Sequence, residues 1–245
     1  MPRRVRLDAE LVARGFFSTT DEAMRAVMAG EVSTSDRRLS SPGEQVKPGL
    51  ELHVRGRKAY ASRGGLKLER GLEELRVDPR GLDCVDVGCS TGGFTDCLLQ
   101  HGARHVLAVD VGRAQFDWAL RQDSRVTLLE QTNITDVPDR EGQEGAYQLA
   151  VCDVSFTSVV TILPAVVRLL APGGIFLTLV KPQFEAPREQ VGEGGVVRDE
   201  QVRQEALERV STALVDAGFE LMGSCTSPIT GHKGNVEYLL AGRLA

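Results

Sequence analysis

Apolar side chains in the first 54 residues of this 245-residue chain follow helical spacing and then strict alternation. Two stripes with helical spacing lie at residues 7–12 and 23–28, and an alternating segment covers residues 50–54. Thr19 and Glu22 fit a capping box, in which each side chain bonds the other residue's backbone N–H. The pattern predicts a small α+β domain over residues 1–54.

Residues 55–65 have glycine near both ends, four basic side chains and little apolar content, which predicts a basic linker. Beyond it, strand-like apolar segments alternate with helical stripes, which is typical of an α/β domain with a largely parallel sheet. The last two segments have no helix between them, so they should pair antiparallel. We therefore predict a seven-stranded Rossmann-like sheet in residues 66–245, mostly parallel with an antiparallel last strand. The seven segments are residues 84–87, 105–110, 126–129, 149–153, 174–180, 219–222 and 236–241.

Composition argues against a disordered, membrane-spanning or secreted protein. The chain is 42% hydrophobic and 26% charged, which is enough apolar material for a core and argues against disorder. No apolar run reaches the roughly 18–20 residues that a membrane span requires, and no apolar signal segment follows the N-terminus. The five cysteines form no CxxC pair, so we expect reduced thiols, no metal site and a cytoplasmic protein.

The net charge of −5 is unevenly distributed. Residues 1–60 carry 11 Lys or Arg against 8 Asp or Glu, whereas the remainder is acidic. A basic module on an acidic body favours a polyanionic partner such as nucleic acid, although basic solvated faces are also common.

A glycine-rich loop at residues 88–93 follows the first predicted strand of the α/β domain and leads into a helix. Glycine lets the backbone turn sharply and approach a ligand. The loop lacks the Gly-Lys-Ser/Thr of a P-loop. Asp86 before it suits a cationic ligand better than a pyrophosphate, and Asp110 is spaced to accept hydrogen bonds from ribose hydroxyls. The arrangement favours S-adenosylmethionine over the alternative of a purely structural turn.

Two resemblances cover nearly the whole chain. Residues 6–15, 23–32 and 46–49 resemble the S-four-type RNA-binding module, although Glu31 and residues 33–36 depart from its usual basic and Val-Asn-Gly positions. The α/β part resembles the FtsJ-like ribose 2′-O-methyltransferases, and residues 6–240 together resemble the TlyA family, also called hemolysin A. The motifs that carry this resemblance begin at Ser62, Asp86, Asp153, Val180, Gly194 and Ser227.

The TlyA resemblance implies a catalytic Lys-Asp-Lys-Glu tetrad, and it implies an rRNA ribose, of cytidine, as the acceptor. By motif the tetrad is Lys67, Asp153, Lys181 and Glu237. We assign the cofactor to Asp86, Gly88, Ser90, Gly92, Gly93, Phe94 and Asp110, and the family comparison adds Asn133 and Ile134 near the adenine. We assign RNA contacts to Arg4, Arg6, Arg14, Arg57, Lys58 and Arg63.

The residue types suit this chemistry. A ribose hydroxyl must lose its proton as it attacks a methyl group, and a lysine that is free of its proton can act as the general base. We expect Lys181 in that role, with Lys67 nearby and the two carboxylates as positioning groups. Phe156 and Phe184 could stack a splayed base, but we expect both to help pack the core or a loop instead. Residues 185–199 are interpreted as a mobile substrate loop.

Three functions remain open from sequence: an rRNA 2′-O-methyltransferase, a non-catalytic RNA-binding ribosome assembly factor, and a cytolysin, as the second family name suggests. The first makes ribosomal RNA or ribosomal subunits the partner and excludes a membrane. The oligomeric state does not follow from the sequence.

Overall fold

The computed structural model describes residues 4–14, 16–17, 19–48, 50, 52–55, 59–113 and 115–245. The chain divides into two compact units, Met1–Arg63 and Gly64–Ala245, called here the N-terminal and C-terminal units.

The N-terminal unit combines two helices with two small antiparallel sheets. β1 pairs with β3 and β2 pairs with β4, and buried aliphatic and phenylalanine side chains fill the space against the helices. Thr19 Oγ1 accepts a hydrogen bond from Glu22 N at 3.3 Å, so Thr19 caps α2. The elements are β1 (Val5–Arg6), α1 (Leu7–Ala13), α2 (Thr20–Met28), β2 (Val32–Ser33), β3 (Gln45–Val46) and β4 (His53–Val54).

The C-terminal unit alternates strands and helices, as its sequence pattern predicts. Its helices are α3 (Gly64–Glu74), α4 (Gly93–Gln100), α5 (Trp118–Arg121), α6 (Val159–Leu169), α7 (Pro182–Glu185) and α8 (Glu200–Asp216). Its strands are β5 (Asp83–Val87), β6 (His105–Val109), β7 (Val126–Leu129), β8 (Tyr147–Cys152), β9 (Leu170–Val180), β10 (Phe219–Thr226) and β11 (Tyr238–Leu244).

These strands form one seven-stranded sheet in the order β10-β11-β9-β8-β5-β6-β7. β11 runs antiparallel to both of its neighbours, β9 and β10, while the ladders from β9 to β7 are parallel. The prediction of a mostly parallel sheet whose last strand is antiparallel is confirmed. The last strand does not lie at the edge: it is inserted between β9 and β10.

Two local expectations differ from the structure. The predicted linker over residues 55–65 overlaps α3, because Gly64 and Gly65 already belong to that helix and Gly65 is buried. Residues 56–58 of the expected linker lie outside the described residues. The expected loop over residues 185–199 contains two 3-10 turns, Arg188–Gln190 and Glu193–Gly195, and a bridge between Gly192 and Val196.

Among the described residues, no helix combines the length and the apolar character needed to cross a membrane.

Candidate active site

Polar residues gather at the carboxyl edge of the sheet. Gly88, Asp110, Asp153 and Lys181 come directly after β5, β6, β8 and β9. Carboxyl ends of parallel strands share one edge, where α/β sheets bind ligands. The register of the sheet sets Gly88 between Asp110 and Asp153. The sheet therefore assembles these residues although up to 93 positions separate them in sequence.

Gly88 is required by close packing at this edge. Its φ of +81° lies in the left-handed region, and a Cβ placed on it would lie 2.9 Å from the carbonyl oxygen of Asp153. Because the obstructing atom belongs to the backbone, a side chain at residue 88 would push apart the two loops that carry the site.

A pocket of about 600 Å³ opens beside this edge, a size suited to a nucleoside-sized ligand. Five of the nine predicted cofactor residues line it: Gly88, Ser90, Asp110, Asn133 and Ile134. Asp153, Ser155 and Phe156 line it as well. The other four predicted residues, Asp86, Gly92, Gly93 and Phe94, are buried and do not line the pocket.

The Asp110 carboxylate is held by two backbone donors. Its Oδ2 accepts from Ser90 N at 2.8 Å, and its Oδ1 accepts from Gly112 N at 2.6 Å. Each carboxylate oxygen can accept a further hydrogen bond. The side chain is therefore fixed in orientation and retains acceptor capacity toward hydroxyl groups in the pocket.

Asp86 is fully buried and only partly satisfied. Its Oδ2 accepts from Thr95 Oγ1 at 2.6 Å, whereas its Oδ1 has no hydrogen-bond partner within the described residues. Burial raises the pKa of Asp86 to about 7, with a smaller contribution from the negative charge of Asp153. A buried carboxylate with an unpaired oxygen beside two further carboxylates fits a cationic group.

Asn133 caps the 3-10 turn Ile134–Asp136 by accepting a hydrogen bond from Thr135 N at its Oδ1, at 3.1 Å. The side chain is exposed on the pocket wall, while Ile134 is buried beneath it. An amide oxygen can accept two hydrogen bonds, so Asn133 Oδ1 and its amide hydrogens remain available to a ligand.

The Nζ atom of Lys181 contacts two residues of the loop after β8. Its Nζ lies 2.5 Å from Asp153 Oδ1 and donates to Ser155 Oγ at 2.8 Å. The parallel register of β8 and β9, continued past the strands, sets Ser155 opposite Lys181. The buried ammonium is thereby held by one carboxylate and one hydroxyl, both from residues that line the pocket.

The other two members of the expected tetrad form a second ion pair. Lys67 Nζ, on α3, lies 2.5 Å from Oε2 of Glu237, which directly precedes β11. The antiparallel register of β9 and β11, continued by one residue, sets Glu237 opposite Lys181. Gly231 encloses the carboxylate, because a Cβ at that residue would lie 1.9 Å from Glu237 Oε1. Lys67 is thus paired with Glu237, whereas Lys181 is paired with Asp153.

Phe156 stands at the rim of the pocket. Its side chain is 92% exposed, so the expectation that it packs in the core or under a loop is wrong for this residue. Its φ is +64°, a conformation that bulky side chains rarely adopt, and its ring lies 5.3 Å from the ring of Phe184. Phe184 is half-buried, and its ring lies 5.9 Å from Lys181 Nζ.

The expected RNA-binding residues differ in exposure and in their partners within the protein. Arg4 and Arg63 are exposed, and Arg4 Nη1 donates to Gln45 O at 3.3 Å. Arg6 is paired at 2.6 Å with the buried Asp8, and Arg14 donates to Leu50 O at 2.6 Å. Both guanidinium groups therefore have partners within the N-terminal unit. Arg57 and Lys58 lie outside the described residues.

Sequence reasoning did not single out Ser155, Gly231 or Glu185 as members of the site. Ser155 has a signal, since it stands two residues after Asp153 in a motif of the resemblance. Glu185 and Gly231 also stand in motifs of the resemblance, those that begin at Val180 and Ser227, but their contacts depend on how loops pack against each other.

Comparison with known proteins agrees with this geometry. The model of the FtsJ-like methyltransferase family matches residues 60–244. Over 239 residues the chain is 46% identical to YqxC of Bacillus subtilis, named as a candidate rRNA methyltransferase, which covers 97% of this chain and 85% of that protein. Over 243 residues it is 42% identical to the 16S/23S rRNA (cytidine-2′-O)-methyltransferase TlyA of Mycobacterium tuberculosis, covering 98% and 90%.

A solved structure gives the same result at the level of the whole chain. A candidate hemolysin from Streptococcus thermophilus is 42% identical, matches with a TM-score of 0.73, and covers 100% of this chain and 90% of its own. The chain therefore belongs to the FtsJ-like methyltransferase family and, within it, to the TlyA group.

Proposed function

We propose that this protein methylates the ribose 2′-hydroxyl of cytidine in ribosomal RNA and uses S-adenosylmethionine as the methyl donor. The observation that carries the proposal is the Lys181–Asp153 pair, whose aspartate lines a nucleoside-sized pocket, with Glu237 of the Lys67–Glu237 pair opposite Lys181 in the sheet register. The relatives' names supply the substrate: the Mycobacterium tuberculosis relative is named for cytidine-2′-O methylation of 16S and 23S rRNA. A ribosomal substrate makes the cytoplasm the expected location.

The pocket residues fit this cofactor. Its sulfonium and amino groups are cationic. Asp86 does not line the pocket, but it directly precedes the lining residue Val87, and its buried carboxylate with the unpaired Oδ1 favours a cation nearby. Asp110 is oriented to accept from ribose hydroxyls, and Asn133 offers both donor and acceptor atoms to an adenine. When bound, S-adenosylmethionine supplies an electrophilic methyl group.

Lys181 is the general base in this proposal. Its Nζ, as the free amine, takes the proton of the 2′-hydroxyl as the oxygen attacks the methyl group. Asp153 Oδ1, at 2.5 Å, then stabilises the ammonium that forms, and Ser155 fixes the direction of the amine. Glu237 holds Lys67 in place next to this pair. The remaining contribution is in-line positioning of the two reacting atoms.

RNA docking is assigned to the N-terminal unit. Arg4, Arg6 and Arg63 are the exposed described members of the expected set, and Arg4 and Arg63, which are not paired with a buried carboxylate, are the first candidates for phosphate contact. Arg6 also stabilises the buried Asp8, so its replacement tests folding together with RNA binding.

The test is methylation of ribosomal subunits that lack 2′-O-methylcytidine. The full chain is incubated with S-adenosylmethionine and each subunit, and the digested RNA is analysed by nucleoside mass spectrometry. A 2′-O-methylcytidine peak with wild type and none with Lys181→Ala is the expected result. Cofactor binding without any methylated nucleoside would contradict catalysis and favour the assembly-factor alternative.

A further inference from the structure

Glu185 is a buried carboxylate that the proposed reaction does not use. It ends α7, four residues after Lys181, and is 4% exposed. Both of its oxygens are engaged: Oε2 accepts from Ser158 Oγ at 2.5 Å, and Oε1 accepts from Val159 N at 2.8 Å. Glu185 thus reaches from the loop after β9 to the first turn of α6.

The location explains why a carboxylate is tolerated there. Ser158 caps α6 by accepting from Val160 N at 3.1 Å while its hydroxyl donates to Glu185. The N-terminus of a helix carries a partial positive charge and unpaired N–H groups, which stabilise an acceptor carboxylate. Burial nevertheless raises the pKa of Glu185, so the position carries an electrostatic cost that an apolar residue would avoid.

The contacts of Glu185 complete a second connection between the segment that carries the proposed base and the loop after β8. At one end, Lys181 binds Asp153 and Ser155; at the other, Glu185 binds Ser158 and Val159. Residues 153–159 and 181–185 are therefore fastened to each other twice. The strained Phe156 stands in the middle of the first segment, in ring contact with Phe184 in the second.

From this geometry we infer that Glu185 is a positioning residue for methyl transfer. It holds the loop after β8 against α7, so that Asp153 and Ser155 keep Lys181 Nζ aimed at the acceptor and Phe156 keeps its place at the rim. This role rests on the proposed function. Glu185 itself touches neither substrate nor cofactor, so its effect should fall on the methyl-transfer step and leave cofactor affinity unchanged.

The experiment compares Glu185→Ala with Glu185→Gln in the full chain on ribosomal subunits. Glutamine can still accept from Val159 N and bond Ser158 Oγ, whereas alanine loses both contacts. We expect kcat of Glu185→Ala to fall by about 10- to 100-fold, with KM for RNA and Kd for S-adenosylmethionine within about 3-fold of wild type. Glu185→Gln should keep at least about a third of the wild-type kcat.

Val166→Ala is the matched stability control, because Val166 is fully buried on the same helix, α6, and does not line the pocket. All rates are measured at least 15 °C below the lowest Tm. The inference is overturned if Glu185→Ala keeps its kcat, or if Val166→Ala loses as much kcat at an equal loss of Tm. It is also overturned if the kcat of Glu185→Gln falls as far as that of Glu185→Ala.

A second readout does not depend on methylation. Hydrogen exchange of the peptide covering residues 153–160 should accelerate in Glu185→Ala and remain near wild type in Glu185→Gln. Unchanged exchange in Glu185→Ala would overturn the inference. A wild-type protein that makes no 2′-O-methylcytidine would instead refute the proposed function. The exchange measurement would then still show whether Glu185 holds the loop after β8 in place.

Discussion

The two lysine–carboxylate pairs of the site have the same 2.5 Å separation but are built differently. Lys181 and Asp153 follow adjacent parallel strands, and the Asp153 side chain is 22% exposed on the pocket wall. Lys67 comes from α3 and Glu237 from the loop before the inserted strand β11, where the carboxylate is 2% exposed. The two lysine side chains are almost equally buried, at 10% and 11% exposed, so the pairs differ in the carboxylate: Asp153 lines the pocket, whereas Glu237 is enclosed.

Burial decides what each pair contributes. Removing one partner of a buried ion pair leaves an uncompensated charge and costs about 3–5 kcal/mol, whereas a pair in contact with solvent contributes much less to stability. We therefore expect the Lys181–Asp153 pair to matter mainly for catalysis and the Lys67–Glu237 pair to matter strongly for stability as well.

The largest expected effect is the loss of methyl transfer in Lys181→Arg. Arginine keeps the positive charge beside Asp153 but cannot act as a base, because it does not deprotonate in proteins. Single-turnover methylation should slow by at least about 10³-fold, with Tm within a few degrees of wild type. Lys181→Ala should lose as much. More than a tenth of wild-type activity in Lys181→Arg would exclude Lys181 as the base.

The next effect is on folding. Lys67→Ala should lower the free energy of unfolding by about 3–5 kcal/mol in urea, because Glu237 stays buried without its partner. The control is Arg104→Ala, which removes an exposed arginine from its pair with Asp83 and should cost about 0–1 kcal/mol. Equal losses in the two variants would show that the second pair is not sealed.

A smaller effect follows from displacing Glu237 without changing its charge. In Gly231→Ala the new methyl group would overlap Glu237 Oε1, so the carboxylate must move away from Lys67. We expect a 10- to 100-fold loss of kcat. Gly142→Ala is the control, since its φ is +74° but its surroundings are open. It should lose stability by about 1 kcal/mol and retain its activity. Full activity in Gly231→Ala would mean that Glu237 tolerates displacement.

The smallest effect concerns Asp86, on the pocket side of the comparison. Its pKa of about 7 exceeds the ordinary value near 3.8, so folding favours its protonated form. The wild-type free energy of unfolding should therefore lose a contribution as pH rises from about 4 to 7 and stay level above that range. Asp86→Asn removes this loss and should be more stable than wild type at pH 8 in the absence of ligand.

The same substitution should weaken S-adenosylmethionine binding by about 10-fold at pH 8, because the cation loses its buried carboxylate. Urea titrations at pH 5 and pH 8, together with calorimetric titration of the cofactor, measure both effects. A variant with identical pH dependence to wild type would show that Asp86 does not titrate in this range.

The first pair was predictable in detail from sequence, and the second was not. Asp153 and Lys181 each follow a run of apolar residues, so the parallel-sheet pattern alone brings them to one edge. The Lys67–Glu237 contact depends on the insertion of β11 between β9 and β10, which apolar periodicity does not reveal. Only the family resemblance related Lys67 to Glu237 before the fold was known.

Side-chain environment was the other limit. Periodicity distinguishes buried from exposed faces in regular elements, but Phe156 lies in a loop with positive φ, where no period applies. Apart from its place in a motif of the resemblance, nothing in the sequence distinguishes Glu185 from other charged residues that follow a strand. Its role becomes visible only in its contacts with Ser158 and Val159. Loop packing, unlike the positions of strands and helices along the chain, has no short-range signature in the sequence.

The inserted strand also has a consequence for the order of folding. Lys67 and Glu237 are separated by 170 residues, and contacts of such long range form late because the intervening chain must first be ordered. The parallel strands β5 to β9 can assemble the pocket before β11 enters between β9 and β10. A refolding molecule should therefore regain the ability to bind its cofactor before it regains the ability to use it.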